Sequence, residues 1–80
     1  MIHKVYVAVT ARFDILGKIT PLSFEWEDGR IFEIDRVLDI RRAASLKAGG
    51  TGIRYQCKIL GRETYLWFDD TEGKWFVEGK

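Results

Sequence analysis

Apolar side chains fall on every second residue from Val5 to Phe13, and the same rhythm returns from Ile53 to Ile59. Val5, Val7, Val9, Ala11 and Phe13 share one face, against Tyr6, Ala8, Thr10 and Arg12. Ile53, Tyr55, Cys57 and Ile59 alternate with Arg54, Gln56 and Lys58. Period two with β-branched residues predicts half-buried strands. Two such strands must find partners, and 80 residues leave room for only one core, so residues 1–80 form a single domain. Hydrophobic residues at 46% and charged residues at 31% exclude a disordered chain.

Turn residues divide the rest. Gly17 suits a left-handed position in the turn 14–18, and a strand follows from Ile19 to Trp26. Pro21 has no N–H for a ladder and marks an edge or bulge. Leu22, Phe24 and Trp26 share a face opposite Ser23, Glu25 and Glu27. Asp28-Gly29 predicts a type I′ turn pairing strand 22–27 with strand 30–41. In that strand Phe32, Ile34, Leu38 and Ile40 share a face, and Arg36 breaks the pattern. A helix is the competing reading, with Asp35 as cap and Gly49-Gly50 as its end. The Asp-Gly turn and β-branched content favour strand to about Ile40, with one helical turn near 42–47. Residues 47–52 are expected to be loop. Gly61-Arg62 turns into a strand at 64–68, and Asp69–Gly73 turns into the last, at 74–78. Such spacing predicts an all-β fold, a small antiparallel barrel or strongly curled sheet of five to six strands. An SH3-like barrel is preferred; the OB-like alternative usually needs more residues.

The chain is poor in reactive groups. It has one His, His3, one Cys, Cys57, and two Ser, Ser23 and Ser45, neither in a Gly-x-Ser-x-Gly elbow. Nucleophilic catalysis needs a nucleophile, a base and an orienting group, so no enzyme, catalytic residue or cofactor is expected. One Cys and one His cannot build a zinc site within one chain. Asp69, Asp70 and Glu72 lack calcium-loop spacing, so no metal is expected. Glu25, Glu27, Glu33 and Asp35 alternate with core residues and read as an outer polar face. A single Cys forms no intramolecular disulfide. With no signal-peptide core and no apolar run long enough to span a bilayer, the expectation is a cytoplasmic protein with no membrane partner.

Charge is the informative feature. The net value is +1, but residues 36–62 hold seven cations and one acid, and the rest is −5. Arg41, Arg42, Lys47, Arg54 and Lys58 are the candidate contacts for phosphates or carboxylates. They flank Gly49-Gly50-Thr51-Gly52, where successive small residues can form an anion-accepting nest. The first expectation is a non-catalytic module for protein–protein interaction or self-assembly, through an exposed strand edge near Pro21 or an aromatic groove. The alternative is single-stranded RNA or DNA on the basic segment, with Tyr6, Tyr65 or Trp67 stacking on bases and Tyr55 kept in the core.

Phe24-Glu25-Trp26, Gly29-Arg30 and Val37-Leu38 occur in the order seen in an uncharacterised domain of bacterial damage-tolerance proteins of the Y-family polymerase type. Residues 24–38 resemble that domain, and Trp75-Phe76-Val77-Glu78 is similar to its aromatic end strand. The whole chain also looks like a set of short uncharacterised proteins from Gram-positive bacteria. The first resemblance covers under a fifth of the chain. Arg41 and Arg42 stand where that domain tends to carry Trp, and the Gly-rich loop is an addition. The resemblance implies an accessory β module near DNA transactions and brings no catalytic residue.

Overall fold

A computed structural model describes residues 3–45 and 50–79. They form β1 (His3–Phe13), β2 (Ile19–Glu25), β3 (Ile31–Glu33), β4 (Arg36–Ala44), β5 (Thr51–Ile59), β6 (Arg62–Asp69) and β7 (Lys74–Gly79). All pairs are antiparallel, in the order β3-β2-β1-β7-β6-β5-β4. The all-β expectation holds, with seven strands among the described residues instead of five to six.

The extra strand comes from a break in the segment expected to run from 30 to 41. Ile34 N–H donates to Leu22 O of β2 at 2.9 Å, and Asp35 N–H donates to Lys58 O of β5 at 2.8 Å. Two consecutive residues thus touch strands that are far apart in the sheet order. This contact curls the sheet into a half-barrel, with β3 on one edge and β4 on the other. The break also resolves the anomaly at Arg36. Beyond it Val37 packs on the core and Arg36 is exposed.

Three local expectations are corrected. The Asp28-Gly29 turn is not type I′, because only Gly29 has positive φ, at 87°. Gly29 N–H bonds to Trp26 O and Trp26 N–H to Arg30 O, so the loop has three residues, a type I turn closed by a left-handed Gly. The type I′ geometry appears instead at Leu60-Gly61, with φ of 51° and 76°. The helical turn expected near 42–47 is absent at 42–44, which continue β4 and pair with Ile53, Gly52 and Thr51; residues 46 and 47 lie outside the described region. Thr51 and Gly52, expected as loop, open β5. A side chain at Gly52 would put its Cβ 2.7 Å from Phe68 O, so the residue serves close strand approach.

β-Bulges tune the curl. The β1–β2 register skips Leu22 beside Pro21, leaving Leu22 exposed and Pro21 buried. A second irregularity at Leu38 lets both Val37 and Ile40 lie on the inner side. The inner core is Phe24, Tyr55, Cys57, Ile59 and Leu66, with Val7, Val9, Val37, Phe68 and Trp75 packed around it. Trp67 and Phe76 are buried on the other face, stacked with centroids 5.8 Å apart. There Ser45, just past β4, reaches β7, its Oγ donating to Glu78 Oε2 at 2.8 Å.

Candidate functional site

Strand alternation and register place the cations. On the outer face Arg36 lies opposite Lys58, Asp39 opposite Gln56 and Arg41 opposite Arg54. One strand further, Lys58 faces Glu63, Gln56 faces Tyr65 and Arg54 faces Trp67. Three of the five expected contacts, Arg41, Arg54 and Lys58, therefore share one face. Arg42 does not. Adjacent strand residues point to opposite sides, and Arg42 reaches Asp70, with Nη1–Oδ1 at 3.3 Å and Nη2–Oδ2 at 2.5 Å. That hydrogen bond raises the Arg42 pKa and lowers that of Asp70. Lys47 lies outside the described residues. Arg36 joins the face; its one sequence signal was a cation interrupting an apolar series.

The face is electrostatically unbalanced. Like charges directly opposite one another destabilise a strand pair, and β4–β5 carries two such pairs, Arg36–Lys58 and Arg41–Arg54. Arg41 Nε bonds to Asp39 Oδ2 at 2.7 Å. Glu63 accepts from Gln56 Nε2 at 2.6 Å. Among the described residues Arg36 and Lys58 make no ion pair. The Arg54 guanidinium lies 4.5 Å from the Tyr65 ring centroid. Arg54 Nε and its neighbour Trp67 Nε1 are buried donors without a hydrogen-bond partner. Tyr6 and Tyr65 keep exposed rings at 50% and 39%, whereas Trp67 at 2% offers none. Tyr55 is in the core, as expected, and its hydroxyl donates to Ile19 O of β2 at 3.0 Å.

The face borders an open strand edge. β4 pairs only with β5, and β2 pairs with β3 only from Ser23 onward. Between these edges lies a cleft of about 330 Å³ lined by Lys18, Thr20, Val37, Leu38, Asp39 and Ile40. The edge expected near Pro21 thus has a second wall, formed by β4.

Two further groups that could react are taken up by the fold. Cys57 is wholly buried, and burial pushes its thiol up to about 11. Asp69 caps its own turn by accepting from Thr71 N and Glu72 N. Among the described residues no three His, Cys, Asp or Glu side chains converge as a metal site would require. No described helix is long and apolar enough to cross a membrane. No family model, curated protein or solved structure matches this chain.

Proposed function

We propose that this domain is a non-catalytic protein-interaction module that accepts an extended acidic polypeptide along the free edge of β4. The carrying observation is the doubled like-charge pairing of β4 with β5, Arg36–Lys58 and Arg41–Arg54, on a strand with one unpaired edge. An incoming strand gains main-chain hydrogen bonds from the edge. Carboxylates beside the four cations relieve the repulsion that the isolated domain carries. The same cations oppose pairing of β4 with a second β4, which guards the edge against its own kind. Half-exposed Leu38 and Ile40 offer apolar contact in the cleft, so alternating acidic and apolar residues suit the ligand. We read the barrel as SH3-like and not OB-like. Apart from β1–β7, every neighbouring pair is consecutive in sequence, whereas the OB-fold is a Greek key.

The test is a titration with an alternating Glu-Val peptide, followed by amide chemical shifts. Shifts should concentrate in residues 36–44 and weaken with salt. Arg36→Glu combined with Arg41→Glu should lower affinity at least about tenfold, the loss of two charge-assisted contacts. Shifts elsewhere, or unchanged affinity in that variant, refute the reading.

A second reading, single-stranded nucleic acid, is supported by the half-exposed Tyr65 ring beside Arg54, on the face that also carries Arg36, Arg41 and Lys58. Aromatic stacking between phosphate-holding cations is how such strands are held. It predicts oligonucleotide binding that falls steeply with salt and is lost in Tyr65→Ala. Oligonucleotide binding without peptide binding would make it the better account.

A further inference from the structure

The β1–β2 ribbon leaves the rest of the sheet before it turns. β1 pairs with β7 over His3–Val7 and with β2 over Ala8–Phe13, so its outer half has one neighbouring strand. The turn at its end carries an apolar tip. Ile15 is fully exposed, Leu16 is 89% exposed, and Phe13 at the end of β1 is 69% exposed. The backbone beneath them is fixed. Asp14 Oδ1 accepts from Leu16 N at 2.9 Å and Lys18 N at 2.8 Å. Asp14 N–H bonds to Lys18 O and Gly17 N–H to Asp14 O, both at 3.0 Å. The turn therefore takes its geometry from Asp14 and Gly17 and uses neither aliphatic side chain. The same bonds occupy the N–H groups of Asp14, Leu16, Gly17 and Lys18, which lowers the cost of moving this backbone out of water.

Charge behind the tip is positive. Arg12 and Lys18 stand on its two legs, both exposed, and among the described residues neither makes an ion pair. The acids near them are engaged. Asp14 holds the turn, and Asp39, which shares a cleft with Lys18, is bonded to Arg41 at 2.7 Å. In the acidic turn before β7, Asp70 pairs with Arg42 and Asp69 caps its own loop. Arg12 and Lys18 are each three residues from Ile15, so the cations stand at most about 10 Å behind the tip. Apolar surface that lies on a bilayer sinks about 5–10 Å into the boundary between headgroups and acyl chains. At that depth the two cations reach the phosphates, their alkyl stems following the apolar side chains. Lipid also conforms to a convex tip, which needs no shaped socket.

We infer that Phe13, Ile15 and Leu16 anchor this domain reversibly to an anionic lipid surface, with Arg12 and Lys18 on the headgroup phosphates. The expectation of no membrane partner rests on the lack of a spanning segment, and a tip that enters one leaflet needs none. Phe13, Ile15 and Leu16 take no part in the proposed peptide binding at the β4 edge, so either activity can fail without the other.

The experiment is co-sedimentation of the full chain with vesicles of phosphatidylcholine and phosphatidylserine in equal parts. The wild type should pellet with them at low salt, less as salt rises, and far less with phosphatidylcholine alone. Ile15→Ser with Leu16→Ser should weaken partitioning at least about a hundredfold, the loss of two buried aliphatic side chains. Arg12→Ala with Lys18→Ala should weaken it roughly thirtyfold, about fivefold for each cation. These side chains are exposed, and circular dichroism confirms that both variants fold. A second readout locates the contact. Cys57 is buried, so an environment-sensitive thiol dye on Ile15→Cys labels the tip alone; its emission should shift to the blue on vesicles. The same dye on Glu27→Cys, in the turn at the other end of β2, should not shift. A wild type that stays off the mixed vesicles at low salt overturns the inference. So does equal binding to phosphatidylcholine alone, a tip variant that binds like the wild type, or a blue shift at position 27 and none at 15. A wild type that oligomerises through the tip and ignores vesicles would assign the tip to a second copy and overturn it too.

Discussion

Leu60 occupies a backbone position that its side chain does not suit, and replacing it with Asn should stabilise the domain. Its φ of 51° lies in the left-handed region, in the two-residue turn where Asn-Gly is the favoured pair. A left-handed L-residue costs roughly 1–2 kcal/mol, and Asn bears less of this than Leu. Against that gain stands lost burial. Leu60 is 77% exposed, so less than a quarter of its surface contributes. Full burial of Leu is worth about 1.5–3 kcal/mol, which puts the loss at roughly 0.4–0.7 kcal/mol. The net gain is about 0.5–1 kcal/mol, or a rise of about 2–8 °C in Tm for a domain of this size. The assay is urea unfolding followed by tryptophan fluorescence. Leu60→Ala is the control, since it loses the same contact and keeps the strain; it should be slightly destabilised. An Asn variant no more stable than the Ala variant would refute the argument from backbone strain.

Tyr55→Phe should destabilise by about 1–2 kcal/mol in the same urea assay, because the Ile19 carbonyl loses its donor while the ring still packs on Trp75. Cys57 should resist thiol reagents in the native state at pH 8 and react only at the rate of unfolding; rapid native labelling would contradict its burial. Its folded pKa of about 11 exceeds the ordinary value of 9.0, so the unfolded chain ionises first. Stability should therefore be unaffected by this thiol below pH 9 and fall as pH rises from 9 towards 11, with Tyr55, also raised by burial, adding to the loss. Cys57→Ala should flatten part of that slope.

Alternation and turn chemistry were enough to identify β1, β5, β6 and β7 and the all-β class, because period two is a local property of each segment. They also placed Tyr55 and Cys57 inside and Arg54 and Lys58 outside. Their shared position beside the Gly-rich loop groups Arg41 with Arg42 in sequence, but the structure separates them. In a strand, two neighbours cannot share a face, and Asp70 holds Arg42 on the far side. Arg36 interrupts an apolar series in sequence, and its exposed place follows from the bonds of Ile34 and Asp35 to β2 and β5. The bulge at Leu22 is likewise defined only against its partner strand.

The sequence by itself determined most of the strand segments, where most turns lie and how few reactive groups the chain owns. Tertiary structure alone decided where the third strand breaks, which cations meet across β4 and β5, and that an apolar turn stands clear of the core at the end of the β1–β2 ribbon. The physical reason is range. Strand periodicity acts between residues two apart, while register, sheet curl and burial of Trp67 and Phe76 on the outer face depend on contacts between distant segments, such as Ser45 with Glu78.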